Sequence, residues 1–164
     1  MKNIVLIGIM GCGKTTISQL LSERLHRPLI DLDDYLVKKY NQTIPSMFEI
    51  SEDYFRDRES ECCQDVSLLE GYIVSTGGGV IKREQNMEYL KKNGYVIYLD
   101  RPIVNILDDV DTASRPLLKD GPDQLYDLYH QRHQLYLKYC DYHLINDSTL
   151  EKVVNEIIDV IENS

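Results

Sequence analysis

The sequence predicts an α/β fold, a three-layer α/β/α sandwich with a five-stranded parallel sheet. Short apolar runs typical of buried strands alternate along the chain with longer segments of helical periodicity, and this alternation favours a parallel sheet covered by helices. The chain has 164 residues, which is enough for one hydrophobic core and too few for a second folded module. Because no repeat or Ser/Gly-rich linker divides it, residues 1–164 are expected to form a single domain.

Five strands and seven helices are predicted. The first strand is the apolar run at Asn3–Ile7, and the helix after it, Lys14–Leu25, has apolar residues at Ile17, Leu20, Leu21 and Leu25. The other strands are predicted at 28–32, 72–75, 95–99 and 142–145. The other helices are predicted at 34–40, 53–70, 84–93, 104–109, 124–138 and 150–162.

Residues 8–15 read Gly-Ile-Met-Gly-Cys-Gly-Lys-Thr and match the pattern of a phosphate-binding loop, or P-loop. The match lies between a predicted strand and a predicted helix, which is the context that the pattern requires. Its glycines let successive backbone N–H groups point into one concavity, which the helix N-terminus makes electropositive. Lys14 is expected to reach the β- and γ-phosphates, and the Thr15 hydroxyl to ligate Mg²⁺. The sequence therefore predicts a nucleoside triphosphate site formed by Gly11, Cys12, Gly13, Lys14, Thr15 and Thr16.

The composition of the chain disfavours some classes of binding partner. The net charge of −9 and the pI of 4.9 disfavour nucleic acid, because an acidic surface repels phosphates. No apolar run reaches membrane-spanning length, and the N-terminus enters a strand instead of a signal peptide. The four cysteines lack zinc-site spacing, which indicates reduced thiols in a cytoplasmic protein. The four histidines show no ligand spacing, and the tyrosines are interpreted as half-buried surface residues without a motif.

Acidic residues lie at the end of the second predicted strand, in the segment Leu-Ile-Asp-Leu-Asp-Asp at 29–34. Ligands of open α/β sheets bind beyond the carboxyl ends of the strands, and Asp31 and Asp33 would share a face of an extended chain. One carboxylate is expected near Mg²⁺ and the other at a hydroxyl nucleophile. The alternative is that Asp33 or Asp34 only caps the following helix.

Four weaker motifs follow. In Phe-Arg-Asp-Arg-Glu at 55–59, Arg56 and Glu59 share one helical face, although such charges alone are typical of a solvated surface. Three glycines, at 77–79, follow the third strand and allow backbone N–H groups to approach a ligand. Arg-Pro-Leu-Leu at 115–118 lies in a turn-rich stretch, and Arg-His-Gln-Leu-Tyr at 132–136 lies on the helix after it.

In this order the motifs resemble those of shikimate kinases, from residue 3 to about residue 146. The resemblance implies a P-loop fold of the nucleoside monophosphate kinase type, with a substrate-binding region at about 33–61 and a mobile lid at about 108–123. It implies transfer of the ATP γ-phosphate to the 3-hydroxyl of shikimate, with Mg²⁺ as cofactor, in aromatic amino acid biosynthesis. Its partners would be these small molecules, and the chain is expected to act as a monomer.

The resemblance also implies roles for single residues. Asp33 corresponds to the acid at the reacting hydroxyl, and Lys14 and the lid arginine Arg115 to the catalytic cations on the phosphates, where Arg115 also contacts the nucleotide. Thr15 and Asp31 correspond to the Mg²⁺ site, Asp31 through water. The substrate site would comprise Asp33, Arg56, Gly77, Gly78, Gly79 and Arg132, with the two arginines on the substrate carboxylate and Glu59 orienting the surrounding elements.

Two departures and two alternatives accompany the resemblance. Family members commonly carry an arginine stacked on adenine about seven residues before Arg115. By direct counting this chain has Asp108 there, or Asp109 or Asp111 if the lid length differs. Ser51-Glu52 replaces the usual Gly-Glu at a helix start, where serine is a good N-cap. A gluconate kinase of the same fold also binds a carboxylate, and a nucleotide-binding module without turnover would keep the P-loop. The presence of both Asp33 and Lys14 argues against the second alternative.

Overall fold

The structure, a computed structural model, describes residues 1–109 and 122–164, except the side chains of residues 108, 109 and 122. Most of the predicted lid, including Arg115, lies outside the described residues, and so does the side chain of Asp108.

Five parallel strands form one sheet in the order β2-β3-β1-β4-β5. They are β1 (Asn3–Ile7), β2 (Leu29–Asp31), β3 (Ile73–Ser75), β4 (Gly94–Asp100) and β5 (Tyr142–Ile145). β1 lies at the centre, where Ile4 pairs with both Ile73 of β3 and Tyr95 of β4, and every residue of β1 is buried. A central parallel strand is buried on both faces because helices cover both. The predicted α/β class and parallel sheet are confirmed.

Eight α-helices accompany the sheet within the described residues. They are α1 (Lys14–Leu25), α2 (Leu32–Tyr40), α3 (Ile44–Ile50), α4 (Glu52–Val66), α5 (Glu84–Lys92), α6 (Ile103–Asp109), α7 (Pro122–Tyr139) and α8 (Leu150–Glu162), and a 3-10 helix spans Val80–Lys82. α1 packs on β1, β2, β3 and α8, whereas α4 packs on α2, α3 and α5. α7 contacts β4 and the 3-10 helix. The helix on which the resemblance places Arg132 thus lies beside the glycines that precede the 3-10 helix.

α3 was not predicted from the sequence. Its N-cap is Thr43, whose hydroxyl accepts the Ser46 N–H at 3.3 Å, and Pro45 lies in its first turn. A proline there forgoes only an N–H that has no partner within the helix. The next helix, α4, begins as expected after Ser51, whose hydroxyl accepts the Tyr54 N–H at 3.0 Å, but it ends at Val66 and not at residue 70.

The second strand passes directly into α2, and this changes the interpretation of the acidic pair. The Asp31 carboxylate caps α2 by accepting the Asp34 N–H at 3.1 Å. Asp33 therefore lies in the first turn of a helix, and the expectation that it shares a face of an extended chain with Asp31 is wrong. The N-cap of α2 is Asp31, so the alternative role of Asp33 or Asp34 as the helix cap is not what the structure has.

Candidate active site

The P-loop adopts its shape because three glycines take positive φ angles. These angles are 154° at Gly8, 78° at Gly11 and 102° at Gly13, values that residues with a Cβ rarely adopt. A Cβ on Gly8 would also lie 2.6 Å from the carbonyl oxygen of Leu99. Gly13 is the N-cap of α1, so the loop ends at the positive end of the α1 dipole.

Within the described part of the chain, four side-chain hydrogen bonds to backbone carbonyls hold the loop in place. The Lys14 ammonium donates to the carbonyl oxygens of Gly8, at 2.5 Å, and Ile9, at 3.2 Å. Arg101 donates to the Gly11 carbonyl at 2.9 Å, and Asn146 donates to the Cys12 carbonyl at 2.8 Å. Neither Arg101 nor Asn146 was predicted, because no local motif marks them; they reach the loop from the carboxyl ends of β4 and β5.

A cavity of about 400 Å³ opens above the loop. Its lining combines the P-loop residues Gly11, Gly13, Lys14, Thr15 and Thr16 with Asp31, Asp33 and Arg101. Among the predicted nucleotide contacts that the structure describes, Cys12 is the exception. Its side chain is fully buried and its N–H donates to the Ile9 carbonyl at 3.2 Å, so the cysteine packs beneath the loop.

A second cavity, of about 210 Å³, adjoins the first. The two share Met10, Asp33, Gly77 and Gly78 in their linings, so they form one continuous cleft with Asp33 at the junction. The second cavity brings together all the predicted substrate residues, namely Asp33, Arg56, Gly77, Gly78, Gly79 and Arg132, together with Glu59. It also contains Ile44, Phe48 and Leu128, which sequence reasoning missed; the first two lie on the unpredicted helix α3.

Arg56 and Glu59 form a buried ion pair in this cavity. Their exposed fractions are only 8% and 1%, and Arg56 Nη1 lies 2.9 Å from Glu59 Oε1. The interpretation of these charges as a solvated helix face is therefore wrong. Arg56 Nε and Glu59 Oε2 have no hydrogen-bond partner among the described residues. Burial raises the pKa of Glu59, and the neighbouring Arg56 opposes that shift. Because unpaired buried polar groups are costly, the pair is suited to a polar ligand.

Each of the three consecutive glycines lies against one predicted functional side chain. A Cβ on Gly77 would lie 3.1 Å from Asp33 Oδ1, and one on Gly78 would lie 3.2 Å from Arg132 Nη1. A Cβ on Gly79 would lie only 2.6 Å from Arg56 Nη1. The absence of side chains on this loop is therefore what lets Asp33, Arg56 and Arg132 converge on one small volume.

The electrostatic surroundings of Asp33 are mixed. Burial raises the pKa of its carboxyl group, the Asp31 carboxylate adds to the increase, and Lys14 and Arg56 oppose it. A carboxylate with an elevated pKa is a better proton acceptor than an exposed one. The Asp33 carboxylate thus lies at the junction between the two cavities, where burial favours its protonated form.

Among residues 1–109 and 122–164, no group of three or more His, Cys, Asp or Glu side chains is placed to hold a metal ion. In the same part of the chain, no helix is long and apolar enough to cross a membrane.

A P-loop at the carboxyl edge of a parallel sheet, continuous with a small cavity that holds one aspartate and two arginines, defines a P-loop kinase of small molecules. The family model for shikimate kinase matches residues 10–162. The shikimate kinase of Clostridium botulinum (strain Alaska E43) is 45% identical to this chain over 165 residues, with all of both chains covered. The chain belongs to the shikimate kinase family.

Solved structures agree with this assignment. A shikimate kinase from Acinetobacter baumannii in complex with shikimate superposes with a TM-score of 0.91 and 33% identity, covering 99% of this chain and 94% of that chain. A shikimate kinase from Aquifex aeolicus superposes with a TM-score of 0.81 and 34% identity, covering 98% of this chain and 96% of that chain.

Proposed function

We propose that this protein transfers the γ-phosphate of ATP to the 3-hydroxyl of shikimate, giving shikimate 3-phosphate and ADP for aromatic amino acid biosynthesis. The observation that carries the proposal is the position of Asp33, which lines both the P-loop cavity and the cavity of Arg56 and Arg132. A phosphate donor in the first cavity and a carboxylated alcohol in the second would meet at this side chain.

In this proposal, the P-loop binds the phosphate donor, ATP. Backbone N–H groups and Lys14 would bind the β- and γ-phosphates, and the resemblance assigns Arg115 to the same phosphates. Thr15 and Asp31 fit Mg²⁺, because both line the phosphate cavity and one Asp31 oxygen remains beside the one that caps α2. Mg²⁺ usually takes one or two protein ligands and completes its shell with phosphate oxygens and water. The ion would neutralise charge that develops on the phosphates.

In this proposal, two guanidinium groups bind the carboxylate of the phosphate acceptor, shikimate. Arg56 and Arg132 approach the same glycine loop from α4 and α7, and the planar guanidinium fork pairs well with a carboxylate. The Phe55 ring centroid lies 5.0 Å from the guanidinium carbon of Arg56, and Glu59 pairs with that guanidinium. These neighbours hold Arg56 in one orientation before the substrate binds.

The reaction would proceed in one step. The acceptor hydroxyl oxygen forms a bond to the γ-phosphorus while the bond from that phosphorus to the ADP oxygen breaks, and the hydroxyl proton passes to Asp33. Lys14 compensates the charge on the transferred group. Catalysis then consists of positioning and electrostatic stabilisation, without a covalent enzyme intermediate.

A coupled assay of ADP release tests the proposal with a panel of acceptors: shikimate, quinate, gluconate and nucleoside monophosphates. Turnover confined to shikimate is the expected result. Preference for gluconate would assign the site to the alternative polyol-acid kinase, and no turnover with any acceptor would favour a nucleotide-binding module. We further infer that the chain acts as a monomer in the cytoplasm, since both cavities are built from one chain and its four cysteines are free thiols. Sedimentation velocity would test the monomer.

A further inference from the structure

A polar and aromatic cluster lies behind the acceptor cavity, between the carboxyl end of β4 and α7. Its centre is Asp100, the last residue of β4, which is 6% exposed. One carboxylate oxygen accepts the Tyr129 hydroxyl at 2.9 Å, and the other lies 2.7 Å from His143 Nε2. No motif marked these residues in the sequence, and the interpretation of the tyrosines as half-buried surface residues is wrong for Tyr98 and Tyr136, which are 1% and 0% exposed.

The cluster holds one face of α7. Tyr129, His133 and Tyr136 lie four and three residues apart, so they project from the same side of the helix. The Tyr129 and His133 rings stack with centroids 5.0 Å apart, and His133 Nδ1 lies 2.9 Å from the Tyr98 hydroxyl. The Tyr136 ring packs on Tyr98 with centroids 4.9 Å apart. α7 is therefore fixed against the end of the sheet by directional contacts as well as by apolar packing.

Arg132 lies on α7 between two of these attachments. Three residues before it, Tyr129 donates to Asp100; four residues after it, the Tyr136 hydroxyl donates to the Gly78 carbonyl at 2.6 Å. A Cβ on Gly78 would lie 3.2 Å from Arg132 Nη1, so a small rotation of α7 would change how the guanidinium faces the acceptor cavity.

We propose that Asp100 and Tyr129 are positioning residues for the phosphoryl transfer, which set the orientation of α7 and so place Arg132 against the acceptor carboxylate. This inference rests on the proposed function. A buried carboxylate that loses a hydrogen-bond donor destabilises the fold. The Tyr129 hydroxyl therefore has one strongly preferred position, and this position also fixes the turn of α7 that carries Arg132.

The same strand end holds the P-loop by separate contacts. Arg101 donates to the Gly11 carbonyl, and Asn146, whose side chain donates to the Cys12 carbonyl, also donates its backbone N–H to the Asp100 carbonyl at 2.8 Å. These contacts do not involve the Asp100 carboxylate or the Tyr129 hydroxyl. Loss of the Tyr129 hydroxyl should thus affect the acceptor and leave the nucleotide unaffected.

The test is Tyr129→Phe, which removes one hydroxyl and keeps the ring. The shikimate KM should rise roughly threefold to tenfold, the factor that the net contribution of one hydrogen bond spans, while the ATP KM stays within twofold. Tyr142→Phe is the matched control, because it removes a hydroxyl that donates to the Glu156 carboxylate at 2.7 Å on the α8 side. It should leave both KM values unchanged.

A double-mutant cycle supplies the second measurement. In an Asp100→Ala background, Tyr129→Phe should cause a much smaller further rise in the shikimate KM, since the Asp100 carboxylate is gone and only the contact with the Tyr98 hydroxyl remains to be lost. A shikimate KM within twofold of wild type in Tyr129→Phe, or an equal rise in both KM values, overturns the inference. If Asp100→Ala does not fold, the single variant decides.

Amide hydrogen exchange measured without substrate separates this inference from the proposed function. Exchange in α7 should become faster in Tyr129→Phe and not in Tyr142→Phe. If the wild-type protein does not phosphorylate shikimate, the proposed function fails. In that case, unchanged α7 exchange in Tyr129→Phe overturns the positioning role and faster exchange supports it.

Discussion

Replacement of Gly79 by alanine should damage acceptor binding without changing any charge. The φ angle of Gly79 is −97°, a negative value that is open to residues with a Cβ, so the main effect is steric. The new Cβ would lie 2.6 Å from Arg56 Nη1 and 2.7 Å from Arg56 Cζ, whereas ordinary contact begins at 3.4 Å. Because Arg56 Nη2 would lie nearer still, the guanidinium would have to retreat by at least about 0.8 Å, and a misplacement near 1 Å at a reacting site can cost about 10²-fold.

Arg56 has little room for that movement, because it pairs with Glu59 at 2.9 Å and packs on the Phe55 ring. We therefore expect the shikimate KM of Gly79→Ala to rise roughly 10- to 100-fold, with the ATP KM within about twofold. Gly78→Ala is the graded control: its Cβ would lie 3.2 Å from Arg132 Nη1, which a few tenths of an ångström relieve, so its effect should be clearly smaller. The assay is ADP release at varied shikimate and at varied ATP, with the melting temperature as a check on folding. A Gly79→Ala enzyme with an unchanged shikimate KM would refute the assignment of Arg56 to the acceptor site.

Three further variants test the remaining assignments. Lys14→Ala should abolish turnover, and near-normal activity would contradict the P-loop assignment. It should also lower the free energy of unfolding in urea by about 1–3 kcal/mol, because the buried ammonium donates to two loop carbonyls. Arg56→Ala and Arg132→Ala should each raise the shikimate KM by roughly 10- to 150-fold, the loss of a charge-assisted pair of about 1.5–3 kcal/mol, whereas equal losses for ATP would point to a misassigned cavity. Asp33→Asn should reduce kcat by roughly 10²–10⁴ while shikimate still binds in calorimetry, and an unchanged kcat would move the proton acceptor elsewhere. The same variant should be more stable than wild type at neutral pH, because folding raises the pKa of Asp33 and so disfavours its charged form. The difference in stability should vanish below the ordinary carboxyl pKa of 3.8. There Asp33 is protonated in both the folded and the unfolded wild-type chain.

Several elements could be predicted from the sequence because their signals are local. Gly8, Gly11 and Gly13 are spaced for a chain that must take positive φ angles, and the apolar strand and helix beside them bracket the loop. Such patterns depend on a few neighbouring residues, so they survive without knowledge of the rest of the fold. The order of the later motifs then identified the family, and with it the set of candidate site residues.

The burial of the site was decided by tertiary structure. Arg56 and Glu59 have the spacing of an exposed helical pair, and only the packing of α4 against its neighbours makes them a buried pair. Asp33 was expected on an extended segment between the second strand and the next helix, because the cap formed by Asp31 depends on where β2 stops. Burial and helix capping of this kind depend on the neighbouring elements in the fold, and the hydrophobic periodicity of the sequence does not encode those neighbours.

The contacts that support the site across distant parts of the chain had no sequence signal. Asn146 reaches Cys12 across 134 positions, and Tyr129 reaches Asp100 across 29. They meet because parallel strands end at one edge of the sheet and α7 packs against that edge. The sequence by itself determined which nucleotide-binding loop and which family the chain has; the tertiary structure decided which side chains support the site, because support arises from three-dimensional proximity.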